Sequence, residues 1–246
     1  MWTEGLRAFV CMLPMLLAAG AGKTTYLVAL GQGGFYFSSL FLPKRITGRA
    51  IMGSLVVGLG LGFYLLGGNV VQHEGIALLF TFFVSIILSF MCSWRLGGAL
   101  ALSFIMIYTA GLNSGSPEKA SANFLLFAGV MLWSALISML PFWEPIEPPA
   151  INPKTSDGEL AEQGVRMGIG TTLALAVSYM FSFYKLGWAP SAVGNVVRYD
   201  GTVSKKRAWG RFYGTLGGAL LAVVALTLSY DIRILVSVSV ISFNFA

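Results

Sequence analysis

Charged side chains punctuate an otherwise apolar chain at long, regular intervals. Reading from one charged or histidine side chain to the next gives charge-free runs at 8–22, 24–43, 50–72, 75–94, 96–117, 120–143, 167–184, 186–197, 212–230 and 234–246. A helix needs roughly 20 mostly apolar residues to cross the hydrocarbon of a bilayer, and most of these runs are long enough. The pattern predicts an all-α fold, a polytopic transmembrane helix bundle with about nine to ten helices. The run at 8–22 lacks an A-x-A cleavage signal before Lys23 and reads as a retained helix, not as a signal peptide.

One polar stretch is of a different kind. Pro141 to Gln163 carries five of the nine prolines, and sets Glu144, Glu147, Asp157, Glu159 and Glu162 against Lys154. It reads as a solvated linker. The chain then divides into a first six-helix module at 1–143, a Pro-rich acidic cytoplasmic linker at 144–162, and a second, truncated module at 163–246.

The two modules share a phrase. KRITGR, Lys44 to Arg49, is followed by Gly53-Ser54-Leu55, and KRAWGR, Lys206 to Arg211, by Gly214-Thr215-Leu216. EGLRAF at Glu4 likewise resembles QGVRMG at Gln163, which sets Arg7 opposite Arg166. Six crossings return the chain to its starting side, so the modules are parallel repeats. By the length of the first module the second stops early at Ala246, which is the expectation for a fragment or for an abbreviated form completed by another chain. Small-residue ladders in both copies, Ser54, Gly58 and Gly62 and then Gly210, Gly214, Gly218 and Ala222, are spaced by four and read as packing seams.

Composition agrees with a membrane protein: 56% of the residues are apolar, 11% are charged, and the mean hydropathy is +0.77. The net charge of +6 is explained by sidedness and needs no nucleic-acid partner. With a cytoplasmic N-terminus, Arg7, Lys44, Arg45, Arg49, Arg95, Lys154, Arg166, Arg198, Lys205, Lys206, Arg207 and Arg211 fall inside, and only Lys23, Lys119, Lys185 and Arg233 outside. A multi-pass protein of the cell membrane follows. Cys11 and Cys92 fall within apolar runs and imply neither disulfide nor metal.

The order of these elements resembles the fusaric acid resistance and aromatic acid exporter superfamily, distantly similar to the aluminium-activated malate transporters. The resemblance rests on the Arg-entry helix, the Gly-rich second and third runs and the basic Gly-Arg turn. SWRLGGALALSFIMIYTAG from Ser93, the exit LPFWEPIEPP, and YKLGWAPSAVGNVVRYDGTVSKKRAWGRFYGTLGG with Trp188 extend it over nearly the whole chain. It departs from the family in the reduction of the inter-module cytoplasmic domain to a linker, and in the incomplete second module. The resemblance implies outward movement of small organic anions of the aromatic carboxylate type, with no cofactor.

Repeat transporters place their sites at Gly- or Pro-interrupted spans in corresponding positions of the two halves. Those positions are Gly31, Gly33 and Gly34 with Gln32, Tyr36 and Ser39 in the first copy, and Pro190 and Gly194 with Trp188, Ser191 and Asn195 in the second. Broken helices would offer backbone amides to an anion, and Tyr36 and Trp188 would stack on a planar ligand. The competing reading is that the glycines only allow close packing. Arg95 is the candidate pathway cation within apolar surroundings, and Arg45, Arg49, Arg207 and Arg211 form a candidate cytoplasmic cationic mouth or, alternatively, topology anchors that meet lipid phosphates.

Other signals are set aside. GAGKTT at Gly20 lacks the first glycine of a phosphate loop, Leu17 standing there, and His73 has no ligand set around it. No nucleophile with its base, metal cluster or carboxylate pair points to an enzyme. None of the charge-free runs contains Asp or Glu, so proton coupling would fall to Glu74, Asp200 or Asp231, and a passive anion channel fits equally. A non-transporting membrane scaffold or assembly subunit is the other alternative. A shortened second module would expose apolar surface that a homodimer could cover.

Overall fold

Pro14 interrupts the first apolar run. It has no N–H to give to Val10 and its ring crowds that carbonyl, so the helix breaks at Met12 into α1 (Trp2–Cys11) and α2 (Leu13–Gly20). The freed Val10 carbonyl accepts a hydrogen bond from the indole Nε1 of Trp133 at 2.9 Å. The chain continues through α3 (Leu27–Ser38), α4 (Ile46–Val70), α5 (Glu74–Met91), α6 (Gly97–Leu112), α7 (Pro117–Met139), α8 (Asp157–Met180), α9 (Trp188–Val196) and α10 (Gly201–Leu228). This computed structural model describes residues 2–23, 27–38, 42–91, 97–145, 157–183, 185–197 and 201–228, and among them the fold is all-helical.

Among the described residues two helices, α4 and α7, are long and apolar enough to cross a membrane, while the apolar stretches of α5 and α6 are shorter. The start of α7 is set locally. Ser116 accepts a hydrogen bond from the Lys119 amide at 3.3 Å, Pro117 fills the first helical turn and Glu118 faces the positive end of the dipole. The acidic stretch before 163 is shorter than expected, because Asp157 to Glu162 already belong to α8. Acidic residues in a first turn favour the helix, and Glu162 pairs with Arg166 one turn on.

The centre of the bundle is α6, buried continuously from Ser103 to Asn113 and packed against α3, α4, α5 and α9. Contact with α4 is nearly backbone to backbone: a Cβ on Gly111 would strike the Tyr64 carbonyl, and one on Gly67 would lie against the Leu112 amide at 3.0 Å. Tyr64 stacks on Phe127 of α7 with ring centroids 4.3 Å apart. These contacts correct the expected seam in α4. Ser54, Gly58 and Gly62 face outward, with open space at the two glycines, and the buried face carries Gly53, Gly60, Gly67 and Gly68. Spacings near seven keep residues on one face over two turns, whereas the ladder of fours drifts around the helix.

The exterior is apolar. Met180 and Leu125 are 79% and 78% exposed, and Leu17, Ile51, Ile87, Leu136, Leu173 and Leu220 also stand outside. The interior meanwhile holds Arg7, Arg49 and many hydroxyls. Around them the core is apolar, with Val56, Leu88, Phe104, Ile107, Phe127 and Met131 at its centre.

Candidate functional site

A helix ends with four carbonyls that lack intrahelical donors, and a cation near them is favoured by the dipole. At the end of α7 that cation is Arg49, carried there by the first turn of α4. Its Nη1 donates to the carbonyls of Leu140 at 2.6 Å and Ser138 at 3.4 Å, its Nη2 to that of Trp143 at 2.8 Å, and its Nε to that of Pro43 at 2.8 Å. Trp143 folds back and donates Nε1 to the Ile137 carbonyl at 2.6 Å. The segment after α7 is thus bolted to the helix it leaves, and Arg49 is 5% exposed.

A second arginine reaches the same residue. Arg7, mid-helix in α1 and 2% exposed, donates from Nη1 to the Ser138 hydroxyl at 3.5 Å. One turn back on α7, the Ser134 hydroxyl is fully buried and has no hydrogen-bond partner, while its carbonyl faces the Cys11 thiol at 4.0 Å. Arg7 and Arg49 therefore meet on the hydroxyl and the carbonyl of one serine. Two guanidinium groups in apolar surroundings make a locus of positive potential, and the Ser134 hydroxyl adds a donor. The chemistry this arrangement can perform is retention of a small anion.

A line of hydroxyls runs through the rest of the interior. Thr81, Ser85 and Ser89 follow one another by fours on α5 and are all buried. Thr81 shares a hydrogen bond with the Tyr108 hydroxyl at 3.0 Å, Ser85 with the Thr171 hydroxyl at 2.8 Å, and Ser89 donates to the Ser85 carbonyl at 2.7 Å. Gly164 and Gly168 bring α8 close enough to α5 for these bonds to form. The line spans about 12 Å of α5, eight residues of rise.

Where the C-terminal end of α6 meets the start of α9, Asn113 is the junction. Its side-chain carbonyl accepts the Gly187 amide at 2.8 Å and its backbone carbonyl accepts Lys185 Nζ at 3.2 Å, while its buried Nδ2 has no partner. Gly187 is required here, since a Cβ would overlap the Thr109 carbonyl. Burial first, and then the charge of Lys119, push the Lys185 ammonium below its ordinary pKa.

The residues expected to form a ligand site fall in several places. Gln32 is half-buried on α3, Tyr36 lies on the same helix, and Ser39 is outside the described residues, as is Arg95. Trp188 opens α9 and is 64% exposed, and Asn195 lies near the end of that helix. Helices α3 and α9 each pack on α6, without an extensive interface of their own. Nor is either helix interrupted as expected. α3 runs unbroken through Gly31, Gly33 and Gly34, whose missing Cβ atoms make room for Met15, the Phe127 carbonyl and the Cys11 carbonyl, and Pro190 sits in the first turn of α9, where its missing N–H breaks nothing.

The four arginines of the expected mouth differ in their surroundings. Arg45 is exposed before α4, Arg211 is exposed on α10, Arg207 lies on α10, and Arg49 is enclosed by carbonyls. Arg7 was not among the expected site residues. Its position in the middle of α1, four residues before Cys11 on the same face, is the signal that marks it as inward. Comparison with protein-family models, curated proteins and solved structures returns no match.

Proposed function

We propose that this chain is a multi-pass membrane protein that moves small organic anions of the aromatic carboxylate type across the cell membrane. The observation that supports it best is the placement of Arg7, a cation 2% exposed in a body whose outside is apolar, beside the unpartnered Ser134 hydroxyl. An ionisable side chain kept at such a place is costly, and within a membrane bundle such residues mark substrate or ion pathways. In this reading Arg7 and Ser134 hold the carboxylate, Ser138, whose carbonyl is held by Arg49, fixes the Arg7 side chain, and the hydroxyls of α5, α6 and α8 line the route. The N-terminus is cytoplasmic, the outward direction follows from the family resemblance, and homodimerisation covers apolar surface.

Passive conduction is the second reading, and a specific feature favours it: the Asp and Glu residues of the described helices, Glu4, Glu74, Glu118, Asp157, Glu159 and Glu162, all stand within the first two turns and none lies mid-helix. A non-transporting scaffold is the alternative from another class. Purified protein in phosphatidylcholine vesicles and a panel of radiolabelled aromatic carboxylates separate the three. Uptake above protein-free vesicles, lost in Arg7→Gln and retained in Arg7→Lys, supports anion movement. Indifference to an imposed pH gradient favours the passive route, and no uptake of any acid by inserted protein leaves the scaffold.

A further inference from the structure

We propose that Asn113 and Lys185 form a binding site for the carboxylate group of a small monovalent organic anion, at the end of the bundle opposite Arg7. The inference rests on the anion reading above for its ligand class, and not for its donors. Asn113 directly follows α6 and lies three positions before Ser116, the cap of α7, whereas Ser138 lies at the far end of α7. The 23 residues of that helix, about 35 Å, separate the two places.

Asn113 Nδ2 is a donor without an acceptor. The residue is 3% exposed, and its side-chain oxygen takes the Gly187 amide at 2.8 Å, which fixes the nitrogen in the other position of the amide. Gly187 is packed so closely on α6 that a Cβ would overlap the Thr109 carbonyl, so backbone holds this frame with little slack. Within it Nδ2 is buried and makes no hydrogen bond. Leaving a buried amide nitrogen unsatisfied is costly, and native folds seldom do so unless something else supplies the acceptor.

The charge beside it is positive. Lys185 Nζ donates to the backbone carbonyl of the same Asn113 at 3.2 Å, so an ammonium and an unused amide meet at one residue. Burial first, and then Lys119 from the first turn of α7, lower the Lys185 pKa. A dominant carboxylate neighbour would have moved it the other way. Glu118, the acid of that same turn, is fully exposed and is held by its own backbone amide and the Ser116 hydroxyl. Capping the end of α6 accounts for the position of Lys185 but gives Nδ2 nothing to donate to. A carboxylate brings two acceptor oxygens and one negative charge, which suits an amide N–H and an ammonium at one residue. Chloride brings the charge without the pair of oxygens, and water an acceptor without the charge.

The test uses the full chain in dodecylmaltoside micelles, isotope-labelled in its asparagine side chains. The Asn113 amide is followed by NMR as sodium benzoate replaces sodium chloride at constant ionic strength, its resonance identified by loss in Asn113→Asp. A saturable shift of that resonance is expected. In Lys185→Gln the apparent Kd should rise at least about tenfold, the loss of one charge-assisted hydrogen bond, and in Lys185→Arg it should return towards the wild-type value. Lys119→Gln, at an exposed side chain, should raise it about threefold. No saturable shift at Asn113, as when water or chloride is its only partner, overturns the proposal, and so does a Kd unchanged in both Lys185→Gln and Lys119→Gln. In Arg7→Gln, where uptake is expected to be lost, the Asn113 titration should persist. Its disappearance there would mean a response relayed from the Arg7 end, which also overturns the proposal. Absence of uptake while Asn113 still titrates strikes the transport reading alone, so the two failures are distinguishable.

Discussion

The Arg49 guanidinium and the Trp143 carbonyl lie 2.8 Å apart although 94 positions separate them in sequence. The bond closes the end of α7 against the start of α4, and the same guanidinium takes the Leu140 carbonyl at 2.6 Å. Removing the cation would leave several carbonyls unsatisfied in an apolar setting. Arg49→Gln is therefore expected to cost at least about 3 kcal/mol, from two or more charged hydrogen bonds at roughly 1.5–3 kcal/mol each. Thermal denaturation in detergent should show a clear drop in midpoint for Arg49→Gln and little change for Arg211→Gln, despite their matching sequence surroundings. Equal effects would mean that the buried arrangement does not support the fold.

Glycines on the two faces of α4 should respond in opposite ways. A Cβ at Gly67 meets the Tyr108 carbonyl and the Leu112 amide, which are backbone and cannot swing aside, whereas a Cβ at Gly58 meets nothing within 4 Å. Gly67→Ala should lower the thermal midpoint or abolish recovery of folded protein. Gly58→Ala should be neutral or slightly stabilising, by up to about 1 kcal/mol of helix propensity. Recovery and melting of the two variants side by side provide the check.

The Ser85 and Thr171 hydroxyls, 2.8 Å apart, should couple α5 to α8 modestly. Thr171 also has a partner within its own helix, donating to the Met167 carbonyl at 2.7 Å. A double-mutant cycle of Ser85→Ala and Thr171→Val is expected to return an interaction of about 0.6 kcal/mol, the usual value for such bonds in membrane proteins. A coupling near zero would show that the hydroxyls serve their own helices only.

Lys185 gives a pH dependence with a definite sign. Its folded-state pKa lies below the 10.5 of the free side chain, because burial and then Lys119 disfavour the charge. Between the folded value and 10.5 the unfolded chain binds more protons than the folded one, so this group makes stability rise with pH across that window. Below the window the charged form carries a constant penalty. Melting measured from neutral to alkaline pH should show the rise, and Lys185→Met should flatten it. An unchanged profile in the variant would assign the pH dependence elsewhere.

Helix type and many of the helix positions were legible in the sequence, because charged residues at the ends of apolar runs mark them directly. Pro117 behind Ser116 starts α7 by local chemistry alone, and Pro14 contains the reason for the break at Met12, since a missing N–H acts on the residue four before it. What was not legible is which cation turns inward. KRITGR and KRAWGR are nearly the same phrase, yet Arg49 is enclosed by carbonyls and Arg211 is exposed. The difference arises from the end of α7, which stands beside one phrase and not the other.

The candidate site follows the same rule. Gly31, Gly33 and Gly34 are equally consistent with an opened helix or with close packing, and only the positions of Met15, Cys11 and Phe127 decide for packing. By itself the sequence determined the all-helical character, the long apolar helices α4 and α7 and the local starts and breaks, since these depend on residues within a turn or two of one another. The tertiary structure alone decided that Arg7 and Arg49 meet at Ser138, that α6 occupies the centre, and that the inward face of α4 carries Gly60 and Gly67. Those outcomes depend on which carbonyls and which neighbouring helices a side chain meets after folding, and residues far apart in the chain supply them.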